Sequence, residues 1–179
     1  NTIGKWNLLL NAGYDAISWR NFYGLGNEVI KTDLEDIDFN RTQARRIYSD
    51  LGIERKPGKS TLDIGVFYKG TQIINNKGRY LAQVFSSSYP GVFSRHQYAG
   101  VKLGYSFLAV NDSIVPTKGI SFFARASKNY SLNKANGSFE NYSGIVNFYI
   151  PLISRFSLAI RSAATRVTGN PFFYELPYI

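Results

Sequence analysis

Lys69, Lys102, Arg125 and Arg161 stand out for what their spacing could do. Each sits in a stretch where every second residue is apolar, and each takes the alternate, polar position. Strand side chains alternate between faces, so in one sheet these four cations can share a side. An electropositive lining of that kind would favour anionic solutes, or anchor a plugging loop through its carboxylates. The plainer reading pairs the cations with Asp15, Asp50 and Asp63 on neighbouring strands. A second cluster, Asp33, Glu35, Asp36 and Asp38, could bind Ca²⁺ or bridge lipopolysaccharide through divalent ions. Its plainer reading is a solvated loop.

Other chemistries are excluded or weakened. With no cysteine there is no disulfide framework and no thiolate metal site. The single histidine, His96, rules out multi-histidine zinc sites and HExxH helices. It lies beside Arg95 and reads as a surface residue of a long loop. "YGLGNE" (Tyr23–Glu28) lacks the third glycine of a dinucleotide fingerprint and does not join a strand to a helix. Its glycines read as a tight turn needing positive φ. "NGS" at Asn136 and "NYS" at Asn141 have the form of glycosylation sequons. No catalytic residue, cofactor or metal is therefore expected in this chain.

The elements that must position these residues are strands. In "KWNLLLNAGYDA", Trp6, Leu8, Leu10, Ala12, Tyr14 and Ala16 alternate with mainly polar neighbours. The pattern returns further on and predicts seven strands, at about 4–16, 39–55, 60–74, 98–111, 119–131, 139–151 and 155–168. In the second, Arg41, Gln43 and Arg45 are polar on the otherwise apolar side, so that half projects beyond the apolar zone or is bulged. No segment has a 3.6-residue period.

The connections alternate. "RKPGK", "NDSIVPTKG" and "PLIS" are short and fall at one end of a meander, while the longer ones fall at the other. Short turns on one side, long loops on the other and strands near a dozen residues suit a transmembrane β-barrel. Twelve residues at ~3.3 Å each, tilted ~40°, rise about 30 Å, enough for a ~25 Å apolar band. Lipid would meet Trp6, Leu8, Leu10, Leu62, Ile64, Val66, Val101, Leu103, Phe122, Val146, Phe148, Leu158 and Ile160. Aromatics collect near strand ends, as membrane interfaces favour. A soluble sandwich or lipocalin-like barrel with inverted faces explains the alternation, but not the strand length, the one-sided loops or the aromatic ends.

The fold class expected is all-β: an antiparallel up-and-down meander forming an arc of a larger barrel. Seven strands fall short of the eight at which such barrels close, so the polypeptide is expected to continue on both sides. No run approaches the ~20 apolar residues of a membrane helix. The formal charge of +9 would suit nucleic acid, anionic lipid or lipopolysaccharide. Its dispersion favours a solvated surface or channel lining, with no nucleic-acid partner.

"SWRNFYGLGNE" (Ser18–Glu28) and "TGNPFFYELPYI" (Thr168–Ile179) resemble the BamA/TamA superfamily of outer-membrane proteins, the bacterial surface-antigen family. The wording is most similar to members from Bacteroides-type bacteria. The resemblance rests on Phe22, Tyr23, Gly24, Gly26 and Asn27, and on Pro171, Phe172, Tyr174 and Leu176. It implies the middle of a sixteen-stranded barrel, fifth to eleventh strands, with the long loops external. The second stretch would lead into the family's long sixth loop, whose Arg-Gly-Phe/Tyr tip is not in this chain. The resemblance further implies the outer membrane of a Gram-negative bacterium and a role in outer-membrane protein insertion or translocation. Implied partners are membrane lipid, lipopolysaccharide, the remaining strands of the barrel, and client or accessory proteins. A membrane anchor for a periplasmic phosphoesterase and a porin-like solute channel are the alternatives.

Overall fold

The computed structural model describes residues 6–24, 38–89, 91–133, 137–153 and 156–176. They form one seven-stranded sheet: β1 (Trp6–Asn21), β2 (Arg41–Arg55), β3 (Ser60–Ile73), β4 (Arg95–Val110), β5 (Gly119–Ser131), β6 (Phe139–Ile153) and β7 (Phe156–Gly169). Every strand is antiparallel to its sequence neighbour, and the spatial order is the chain order. The protein is thus an all-β meander in which the sheet does not close on itself. A short helix, α1 (Tyr80–Gln83), and a 3-10 turn (Phe85–Ser87) interrupt the β3–β4 connection, and another 3-10 turn (Phe173–Glu175) follows β7. No helix among the described residues is long and apolar enough to cross a membrane.

β1 extends past Ala16, where the alternation breaks, because of a bulge. Asp15 pairs with Arg46 and Ser18 with Ala44, so Ala16 and Ile17 together oppose Arg45. The extra residue resets the alternation. Ile17 and Trp19 stay on the side of Tyr14, while Ser18 and Arg20 join Asp15. The irregularity expected near Arg41–Arg45 is therefore in β1; β2 keeps an unbroken register against β3.

Cross-strand partners share a face, so the registers define two surfaces. Leu8, Ile53, Ile64 and Leu103 form one row, and Leu10, Leu51, Val66 and Val101 the next. Phe122 opposes Val146, Phe148 opposes Ile160, and Trp6 and Leu62 join through Arg55. All thirteen residues expected to be lipid-facing lie on this side. None of the described residues covers it: Leu8 is 73% exposed, Leu10 77% and Ile64 51%. The same registers put Lys69, Lys102, Arg125 and Arg161 together on the opposite side.

The two ends differ. At the turn end, Pro57 and Gly58 (φ +62°) reverse the chain between β2 and β3. Between β4 and β5, the Asp112 carboxylate accepts the N–H groups of Ile114 (2.7 Å) and Val115 (3.0 Å). At the loop end lies the buried core: Phe22, Ala44, Ile73, Leu81, Phe85, Val92, Tyr98, Phe139 and Phe172–Tyr174. It sits on the polar side of the sheet, built from long connections and the segment after β7.

Candidate functional site

The loop end of the polar face is the site the fold constructs. After β7, Gly169 (φ +101°) turns the chain back, and Pro171–Leu176 lies over the sheet. Phe173 is its anchor. Its ring centroid is 4.8 Å from Phe22 at the end of β1, 5.1 Å from Phe85 and 4.5 Å from Phe172, all tilted or edge-on. Such geometries suit the ring quadrupole. Phe172 stacks on His96 (3.6 Å, 14°), and its N–H donates to the Tyr98 hydroxyl at 3.3 Å. Tyr174 takes the Arg20 guanidinium over its ring at 4.7 Å.

Lys69 ties this segment to the sheet. Its Nζ is 2.5 Å from Glu175 Oε2. It also lies 5.8, 5.4 and 5.0 Å from the ring centroids of Phe67, Tyr98 and Phe139. Three rings and one carboxylate surround the ammonium of a side chain only 26% exposed, which makes both attractions stronger than in bulk water.

Lys102 is held differently. It sits on β4 opposite Gly65 of β3, which opposes Gly52 of β2. A Cβ on Gly65 would fall 2.7 Å from the Leu51 carbonyl oxygen and 3.1 Å from Gly52 Cα. The two glycines permit this close approach and leave the sheet bare. The Lys102 side chain crosses β3 there and meets Asp50 on β2 at 2.6 Å. Strands ~4.8 Å apart make that span about 10 Å. Arg125 lies over the Phe123 ring at 5.2 Å. Neither Arg125 nor Arg161 has a carboxylate within ion-pair distance among the described residues.

Of the pairings read from sequence, only Lys102–Asp50 forms. Lys69 pairs with Glu175 of the trailing segment, and Asp15 and Asp63 take no ion pair with the four cations. His96 is a correction. It belongs to β4, which starts earlier than its apolar alternation, and is 2% exposed against Phe172. Asp33, Glu35 and Asp36 lie outside the described residues, and Asp38 pairs with Arg41 at 2.8 Å. The Arg41 hydrogen bond holds the Asp38 carboxyl below the usual carboxylate range. Among the described residues no group of three or more His, Asp or Glu is placed to hold a metal.

The loop motifs come together. Phe22 is buried, Tyr23 is exposed and Gly24 has φ +104°. Gly26 and Asn27 lie outside the described residues. Phe172 and Tyr174 are buried, Leu176 packs on the core, and Pro171 leads into them. Sequence reasoning missed Phe85, Tyr98, Phe139 and Phe173 as site residues. The four-residue spacing of Leu81 and Phe85, both buried, and the aromatic run Phe172–Tyr174 carried the available signal. Compared with protein-family models, with curated proteins and with solved structures, the chain matches none.

Proposed function

We propose that these strands cross an outer membrane as part of a β-barrel, with the apolar face against lipid and the polar face lining the interior. The observation that carries this is an uncovered apolar belt opposite a face holding Lys69, Lys102, Arg125 and Arg161. In water such a belt would be an aggregation surface, since exposed apolar patches beyond a few hundred Å² are rare on soluble monomers. In lipid it needs no second layer. Among the described residues β1 and β7 each pair on one side only. Unpaired ladder groups cost several kcal/mol each in hydrocarbon, so further strands must complete both edges.

Within that reading, a BamA/TamA-type role in outer-membrane protein insertion or translocation is the function supported best. The two stretches carrying that resemblance pack on one another, Phe22 against Phe173. An open solute channel is supported less, because aromatic side chains fill the loop end of the polar face. Depth-dependent quenching by brominated lipids tests the membrane step. Single tryptophans at Leu10 or Leu103 should be quenched most by mid-chain bromines, and one at Arg161 should not be quenched. Equal quenching at all three would overturn it. For the assembly role, replacing Phe22 and Phe173 in the native gene should lower the levels of other outer-membrane barrels. Unchanged levels would remove it.

A further inference from the structure

On the apolar face two arginines share one row with no carboxylate in ion-pair distance among the described residues. Arg45 on β2 opposes Gln72 on β3, which opposes Arg95 on β4, giving one exposed row across three strands. The next row toward the turn end is Tyr14, Ile47 and Gly70. Gly70 has no side chain, so the rows enclose a notch of about 170 Å³ lined by these six residues and Arg46. A Cβ at Gly70 would crowd Ile47 at 3.0 Å and approach the Arg95 guanidinium nitrogen at 3.7 Å. Neither Arg45 nor Arg95 makes an ion pair among the described residues. Of the other cations on this face, Lys128 is balanced by Glu140 at 3.0 Å and Arg41 by Asp38, whereas Arg55, over the Trp6 ring at 5.7 Å, and Arg166, opposite Tyr142, each stand singly.

We propose that the Arg45–Gln72–Arg95 notch binds the phosphate of a lipid headgroup whose acyl chains run down the apolar belt. Two guanidinium forks about 10 Å apart at their backbones flank the notch, and guanidinium matches phosphate in two-point hydrogen bonds. Gln72 and the Tyr14 hydroxyl add neutral donors between and below them. Position selects a lipid over a free anion. Ile47 lies two residues below Arg45, and Leu51 and Val66 lie six residues, about 20 Å at ~3.3 Å per residue, from Arg45 and Gln72. Head and chains of one amphiphile thus meet cations and apolar side chains in the order the lipid presents them.

The proposal rests on the membrane reading above, and its test separates the two. The native protein, purified in detergent, is offered phosphatidylglycerol or a galactolipid with the same acyl chains, and retained lipid is counted by native mass spectrometry. Phosphatidylglycerol should be retained preferentially. R45Q/R95Q should lose it roughly tenfold or more, as expected for two charge-assisted contacts, while its tryptophan quenching stays unchanged. Equal retention by the variant overturns the site, and so does parallel loss of the galactolipid, which would mean a disturbed belt. Displacement by excess inorganic phosphate would reassign the notch to a free anion and overturn the lipid. Failure of the unmodified protein to enter lipid at all would instead bring down the membrane reading, and this site with it.

Discussion

Phe173→Ala tests whether the segment after β7 is a docked plug or an integral part of the sheet. The ring is 5% exposed and meets Phe22, Phe85, Phe172, Tyr174 and Tyr89 with centroids 4.5–6.4 Å away. Truncating a buried Phe costs about 3–5 kcal/mol in transfer and cavity terms, and five ring neighbours put this site near the upper end. That full cost appears only if the segment stays docked around the hole. Pro171–Leu176 follows the last strand and contributes no ladder, so it can lift off by itself, and local opening caps the loss at its own docking free energy. Two readouts separate the cases. Chymotryptic cleavage at Phe172–Tyr174 should rise by two orders of magnitude or more if about 3 kcal/mol of docking is lost. The unfolding midpoint of the seven strands should move little. A variant whose strands unfold several degrees lower, with no added cleavage, would refute the plug and make Phe173 part of one cooperative core.

On the proposed membrane reading, Leu103→Arg or Leu10→Arg should destabilise the protein in lipid by about 2–4 kcal/mol if the sites are near midplane, whereas Lys102→Ala should cost a fraction of that; equal penalties in refolding titrations would contradict the proposal. Gly65→Ala should cost about 1–3 kcal/mol, because its Cβ meets backbone at 2.7 Å, and should release Lys102 from Asp50, visible as loss of that lysine's protection from amine labelling. The N–H groups of Val115 and Ile114 hold the Asp112 carboxyl below its ordinary value. Its contribution to the β4–β5 turn should therefore be complete above about pH 4 and fade as pH falls through the lowered value, a loss that Asp112→Asn should abolish in a carboxyl NMR titration.

The parts of the molecule legible in the sequence are those governed by neighbours along the chain. Alternation over Trp6–Tyr14 or Val101–Phe107 fixes a face locally, and the register then propagates it across seven strands. The β1 bulge was not legible, because Ala16 and Ile17 are both apolar and either could continue the pattern. The start of β4 was missed for a related reason. Arg95, His96 and Gln97 are polar, yet their backbone pairs with Gly70–Gln72 while His96 is buried by a ring from beyond β7. The plug itself depends on contacts between residues far apart in sequence, Phe22 with Phe173 and Lys69 with Glu175. Nothing near either partner announces the other. The polar positions were readable, but their partners were not: Lys69 differs from Arg161 only in what folds back over it.

Lys69 marks the boundary between two regimes on the polar face. Toward the loops, Thr71, Ile73 and His96 are buried beneath the plug. Toward the turns, Arg125 and Arg161 take no ion pair among the described residues, and Asp50 and Lys102 pair while still partly exposed. Charge is kept where water reaches it, and Lys69, at the edge of the dry zone, is given three rings and a carboxylate. Lys69→Met keeps the stem packed against Phe67, Tyr98 and Phe139 but leaves Glu175, whose side chain is 14% exposed, without its cation. An unpaired, mostly buried carboxylate costs about 1–3 kcal/mol or more, and the cheapest relief is to lift Glu175 into water. Lys69→Met should thus raise the same chymotryptic cleavage as Phe173→Ala, and less so in high salt, which screens the native pair first. Since both substitutions open one segment, their effects should not add: once Phe173→Ala has released it, Lys69→Met has nothing further to loosen. Additivity within about 0.5 kcal/mol in the double variant would show that the ion pair and the aromatic cluster hold separate pieces of chain, and the single-plug interpretation would fail.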